Sequence, residues 1–153
     1  VLVGLVSDTH GLIRPEIFDA LEGVELILHA GDVGGREVLQ QLSTIAPIRA
    51  VYGNTDPPGE PGLAESLDLK LAAVTVHVSH GHEVGGPTPE RLVARYTADV
   101  IVYGHTHKPL IERVDGRLVV NPGAAGPRRF NVKPSVARMT LDNGRVGVEI
   151  LWL

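Results

Sequence analysis

The chain has no cysteine, which excludes disulfides and thiolate metal sites and fits a cytoplasmic protein. Aromatic residues are scarce, at 4% of the sequence, so little is available to build a stacking platform for single-stranded nucleic acid. Basic residues are not in excess. Lys and Arg number 14 against 18 Asp and Glu, a formal net charge of -4 with both signs interspersed. That balance disfavours nucleic acid as a partner, yet leaves room for one phosphate at a metal site. No apolar run is long enough to span a bilayer and no basic-then-apolar signal peptide opens the chain, so no membrane partner is expected.

What is present is a globular composition: 43% of the 153 residues are hydrophobic. This length fits a single domain, residues 1–153, burying about 68–70% of its unfolded surface. Val1 to Val6 is a β-branched apolar run that reads as a buried parallel strand stopping at Ser7-Asp8-Thr9-His10-Gly11. Pro15 suits the first turn of a helix with Ile17, Phe18 and Leu21 on its apolar face, and Gly23 ends it. The pattern repeats. A strand over 25–29 ends in Ala30-Gly31-Asp32, a helix over 36–43 follows, and a third strand over 48–52 closes at Gly53-Asn54-Thr55-Asp56.

Pro57 to Gly62, with three prolines and two glycines, cannot be regular structure and is expected as a loop over the site. Strands over 67–71 and 74–79 follow, the second ending in His80-Gly81-His82. A helix over 89–96 then leads to a strand over 99–103 and to Gly104-His105-Thr106-His107. Asp115-Gly116 and Asp142-Asn143-Gly144 mark two later hairpins, and Asn121-Pro122-Gly123 marks a turn. The order is α/β first and antiparallel β later, which predicts two packed mixed β-sheets flanked by helices. In open α/β sheets ligands bind at the carboxyl ends of strands, where these polar clusters lie.

His105 and His107 stand two residues apart, and in extended backbone such residues point the same way. Asp8 and His10 share that spacing. Asp, Asn and His together offer oxygen and imidazole nitrogen, a donor set suited to manganese, iron, zinc or nickel and poor for calcium. Together with the Asp, Asn and His of the other strand ends, these residues offer too many donors for one tetrahedral ion and suit two ions sharing a carboxylate.

The ordered pieces Asp8-x-His10, Gly31-Asp32, Gly53-Asn54, His80-Gly81-His82 and Gly104-His105-x-His107 resemble the signature of the calcineurin-like metallophosphoesterases. The resemblance runs from Asp8 to the Asn121-Pro122-Gly123 turn, and the chain looks most like the compact bacterial and archaeal phosphodiesterase branch. It implies an α/β/β/α sandwich and a hydrolase acting on a small phosphodiester or nucleotide-like substrate. It also implies two divalent transition-metal ions, manganese placed ahead of iron, zinc or nickel. Asp8, His10, Asp32 and His107 would hold one ion; Asp32, Asn54, His80 and His105 would hold the other, with Asp32 bridging. A hydroxide shared by ions about 3.5–4 Å apart would attack phosphorus in line. Assembly into a homo-oligomer stays open.

Catalytic roles fall to Asp32, Asn54, Thr55 and His82, and Arg128 and Arg129 are candidate contacts to the substrate phosphate. Each has a blander reading. Asp8 and Asp32 could cap the following helices, Asn54 could be a turn residue, and Arg128 and Arg129 a solvated basic turn. His29 reads as bracing a ligand from behind, His77 as a hydrogen-bonded core or surface residue, and His82 as substrate contact or loop brace. Thr55 departs from the family pattern, in which many members carry histidine after the asparagine, so the general acid is open. The competing function is a non-catalytic protein-binding scaffold on the same fold.

Overall fold

The computed structural model describes residues 1–153. Eleven strands and three short helices follow the expected order. β1 (Leu2–Val6), β2 (Leu26–His29), β3 (Ile48–Val51) and the two-residue β4 (Leu63–Ala64) run parallel in one sheet. β10 (Ser135–Asp142) and β11 (Arg145–Trp152), the second late hairpin, add to it antiparallel beside β1. The order in this sheet is β11-β10-β1-β2-β3-β4. The second sheet is built from β5 (Leu67–Leu71), β6 (Val74–Val78), β7 (Val100–Val102), β8 (Leu110–Val114) and β9 (Arg117–Asn121). Its order is β5-β6-β7-β9-β8, with β6, β7 and β9 parallel and both edge strands antiparallel.

Alternation along the strands sorts side chains into layers. Val3 and Leu5 of β1, Leu28 of β2, Val76 and Val78 of β6, and Val100 and Val102 of β7 face inward and form the core between the sheets. Val6 and Ile27 point outward instead, beneath α1 (Glu16–Ala20) and α2 (Arg36–Leu42), and are covered by Ile17, Val38 and Leu42 of these helices and by Leu21 just past α1. Ile101, Tyr103 and Val119 face out of the second sheet, under Leu92 of α3 (Pro89–Arg95). The result is the expected sandwich of two mixed sheets between helices. Each of these fully buried aliphatic side chains contributes about 1.5–3 kcal/mol relative to exposure.

Three details depart from the sequence reading. α1 is a single short turn, and Phe18, expected on its apolar face, stays 40% exposed. The Pro57–Gly62 segment, expected as a loop over the site, packs against α2, where Pro57, Glu60 and Pro61 share a small cleft with Arg36 and Leu39. β4 follows it and was not foreseen, because two residues carry no periodicity to read.

Candidate metal centre

β1, β2 and β3 end on the same side as β6 and β7, and their terminal loops are tied together by backbone hydrogen bonds. Asp8 N–H donates to Gly31 carbonyl at 3.0 Å, His10 N–H to Asp32 carbonyl at 3.0 Å, and Gly104 N–H to His80 carbonyl at 2.9 Å. The chain turns abruptly there. Asp8, His10, Asp32, His105 and His107 all have positive φ, between 45° and 72°. The same-side placement expected from extended backbone is therefore corrected. These side chains are aimed by left-handed turns, a conformation that Asp and His tolerate better than most residues. Non-glycine residues in that region are costly and cluster at functional sites.

Two groups of ligand atoms result, Asp8 with His10 and His107, and Asp8 with Asp32 and His80. Asp8 Oδ1 lies 3.3 Å from His107 Nε2, 3.7 Å from His10 Nε2 and 3.9 Å from His80 Nε2. Asp32 Oδ2 lies 3.2 Å from His80 Nε2 and 3.7 Å from His10 Nε2. His105 and Asn54 meet at the rim, with Nδ1 and Oδ1 3.1 Å apart. All seven residues expected as metal ligands thus gather at one place. Neither aspartate caps a helix, since α1 begins after Pro15 and α2 after Gly35.

The surroundings fix these groups for ligation. His80 is fully buried and its Nδ1 bonds the Ala30 carbonyl at 2.8 Å, which turns Nε2 towards the two carboxylates. Asp8 Oδ2 accepts from the Ser7 hydroxyl at 2.6 Å and from His105 N–H at 3.1 Å, leaving Oδ1 free. Burial alone would raise the Asp8 carboxyl, but His10, His107, His80 and Ser7 hold it well below the usual carboxylate range. Asp32 resists the same burial; His80 and the Thr55 N–H bring it down to about 2. Burial opposes a proton on His80, yet the two carboxylates raise its pKa. His105 moves down, by burial first and then by the charge of His80.

Asp8 Oδ1, His10 Nε2 and His80 Nε2 are buried polar atoms with no hydrogen-bond partner. Leaving buried polar groups unpaired is costly. Carboxylate oxygen and imidazole nitrogen at these separations fit a divalent transition metal.

Around this centre stand bracing residues, among them Asp56 and Asn121, whose roles the sequence did not reveal. Asp56 is buried and accepts from the N–H groups of Val33, Gly34 and Gly53 at 2.9–3.1 Å, so it clamps two strand-end loops together. Thr55 N–H donates to Asp32 Oδ1 at 3.0 Å. Asn121 donates to Gly104 carbonyl and Thr106 Oγ1 and accepts from Gly123 N–H, which joins the end of β9 to the histidine loop. The Asn-Pro-Gly turn was the available signal. His29 accepts from Gly31 N–H at Nδ1 and meets Thr9 Oγ1 at Nε2, bracing the loops after β1 and β2. His77 bonds Asp68 at 2.8 Å and stacks on Tyr96, away from the centre. His82 lies at the rim, its ring 5.4 Å from that of His80. Arg128 and Arg129 are exposed in a turn whose tip, Phe130, sits edge-on to His107 at 6.2 Å.

Two facing sheets whose strand ends converge on Asp, Asn and His donors define a metal-binding α/β sandwich of the phosphoesterase kind. Residues 1–144 match the family model of the calcineurin-like phosphoesterase superfamily domain, and the chain belongs to that superfamily. It is 34% identical over 161 residues to a probable metallophosphoesterase of Methanothermobacter thermautotrophicus, covering 99% of this chain and 92% of the relative. It is 30% identical over 139 residues to a phosphodiesterase of Methanocaldococcus jannaschii, covering 79% and 82%. Among solved structures, wild-type Vps29 of Entamoeba histolytica complexed with zinc superposes with a TM-score of 0.81 at 27% identity, covering 99% of each chain. No helix is long and apolar enough to cross a membrane.

Proposed function

We propose that the protein is a metal-dependent phosphodiesterase that hydrolyses a small phosphodiester or nucleotide-like substrate. Two divalent ions would be held by Asp8, His10, Asp32, Asn54, His80, His105 and His107. The observation that carries this reading is that two ligand groups share Asp8, with His10 in one and His80 in the other, and that Asp8 Oδ1, His10 Nε2 and His80 Nε2 are all buried and unpartnered. Bound there, the ions would supply Lewis acidity and acidify a water. The protein's own contribution is to keep both aspartates ionised and to present His80 through Nε2. The names of the archaeal relatives support ester hydrolysis over a scaffold role, and so does the presence of every expected ligand.

The leaving group raises a separate question. A positioned general acid contributes about 10²–10⁴-fold. Thr55 offers a hydroxyl too weak for the task, and its N–H is committed to Asp32. Asp56, fully engaged by three backbone N–H groups, is not free to deliver a proton. His82 is the remaining group at the rim, with its ring 6.4 Å from that of His105. Aryl diesters of graded phenol acidity should therefore give a steep negative slope of log kcat/KM, unchanged in His82→Ala. A shallow slope that steepens in His82→Ala would identify His82 as the acid.

Turnover tests the whole reading. Metal-free protein given manganese should release 4-nitrophenol from bis(4-nitrophenyl) phosphate, and Asp32→Ala should not. Two bound ions per chain are expected by metal analysis. A manganese-loaded protein that hydrolyses no diester would instead leave the scaffold.

A further inference from the structure

A cleft of about 510 Å3 lies between the histidine loop and the start of α3, and it shares Phe130 with the rim of the metal centre. That volume lies within the range of about 300–1,000 Å3 usual for small-molecule sites. Its base is Tyr103, and its walls include Pro87, Pro89, Thr106, Pro109 and Phe130. The cleft and the centre are built from one stretch of chain. Tyr103 directly precedes Gly104-His105, Thr106 stands between the two histidines, and Lys108 follows the second. On the other wall, Pro87 and Tyr103 close over Gly81, which separates His80 from His82. A Cβ at Gly81 would meet Pro87 Cβ at 3.1 Å and Tyr103 Cδ2 at 3.4 Å.

Phe130 is the unusual member. Of the two phenylalanines in the chain it is the more exposed, at 74%, which is an unfavourable place for a bare aromatic ring. It also has φ 56°, as does Asn131, in a tight hairpin where Val132 N–H donates to Arg129 carbonyl at 3.0 Å. Such turns favour Asn and Gly at both positions, and a bulky side chain rarely adopts this backbone. The segment leading to it is anchored on the centre. Gly126 N–H donates to the carbonyl of Asp8 at 3.2 Å, and Arg14 Nε donates to Gly126 carbonyl at 2.9 Å. An exposed, strained aromatic is thus held over the rim, edge-on to a ligand histidine.

We infer that this cleft is the subsite for a planar aromatic ring on one ester arm of the substrate, with Phe130 as its specificity-determining wall. Aromatic and proline faces line the slot, and the Phe130 ring in it lies 6.2 Å from that of the ligand His107, so an ester arm leaving a phosphate at the metal centre along the histidine loop would meet Phe130. Lys108, also among the lining residues, complements the phosphate charge of the same ligand. This assignment deepens the phosphodiesterase reading and rests on it for the identity of the ligand.

Calorimetric binding to the manganese-loaded protein separates the two claims. Phenylphosphonate is compared with methylphosphonate, and adenosine 5′-monophosphate with ribose 5-phosphate, so that each pair differs by one ring. Wild type should favour the ring-bearing member of at least one pair by roughly tenfold, the size expected of one aromatic contact. The pair with the larger preference tells whether the ring sits next to phosphorus or across a ribose. Phe130→Ala should bring that ratio towards one, and Phe130→Trp should keep it. No preference in either pair, or a preference that survives Phe130→Ala, overturns the subsite while diester turnover leaves the function standing. A ring preference lost in Phe130→Ala, with no diester hydrolysed, keeps the subsite and overturns the function.

Discussion

Asp8 holds the densest position in the centre, since one of its oxygens faces three imidazole Nε2 atoms at 3.3–3.9 Å. The family resemblance implied Asp32 as the shared carboxylate, and the geometry gives Asp8 an equal claim, because it belongs to both ligand groups. Asp8→Ala should therefore lower turnover at least as much as Asp32→Ala, each by roughly 10²-fold or more, given that Lewis-acid stabilisation is worth several kcal/mol. Metal content after dialysis and manganese-dependent turnover of both variants check this. A variant Asp8→Ala that keeps full metal content and turnover would contradict it. Asp56 is a different case, because it acts on the backbone. Asp56→Ala leaves three N–H groups without an acceptor and should cost about 3 kcal/mol of stability, at about 1–3 kcal/mol per buried orphan, with partial relaxation. Urea unfolding measures it. A change within experimental error would show that the loops find other acceptors.

At the scale of elements, the centre exists because strand-end loops approach more closely than side chains allow. A Cβ on Gly53 would sit 2.0 Å from Asp32 Oδ1, and one on Gly104 would sit 2.0 Å from Ser7 Oγ and 2.6 Å from Asp8 Oδ2. Gly53→Ala and Gly104→Ala should each weaken manganese binding by about 10–100-fold, the range seen when the groups that orient ligands are disturbed. Titration calorimetry reads this directly, and wild-type affinity in both variants would show that the loops yield. The strands carrying these loops were legible in the sequence, because β1, β2, β6 and β7 are short apolar runs ending in polar clusters. The way the ligands are aimed was not legible. His105 and His107 were assigned to one side by strand alternation, yet they lie beyond the end of β7 with φ of 72° and 64°. Left-handed turns leave only a compositional trace, the Asp, Asn, His and Gly that accept them. Asp56 was equally hidden, since an acid that receives two long-range N–H bonds beside one local one looks like any turn residue from its neighbours alone.

For the molecule as a whole, two buried histidines of opposite sign make stability depend on pH. His29 is fully buried, and that burial lowers its pKa to about 4 against the opposing charges of Asp8, Asp56 and Asp32. Its Nδ1 accepts from Gly31 N–H, so a second proton there would also break a hydrogen bond. The unfolded chain gains a proton near the ordinary histidine value while the folded chain does not. Stability from His29 is thus present above that value and lost as pH falls towards 4, by up to about 1.4 kcal/mol per pH unit. His80 has a raised pKa, because Asp32 and Asp8 outweigh its burial. Its contribution is present below the ordinary histidine value and lost as pH rises through the raised one. The metal-free protein should therefore be most stable where the two windows meet, near the ordinary histidine pKa of about 6.5. Urea unfolding of chelated protein between pH 5 and pH 8 is the measurement. His29→Gln should flatten the acid arm and keep the alkaline one, whereas parallel curves for wild type and variant would show that His29 does not govern that arm. Manganese should shift the optimum upward, since a metal on His80 requires the neutral imidazole and competes with its proton.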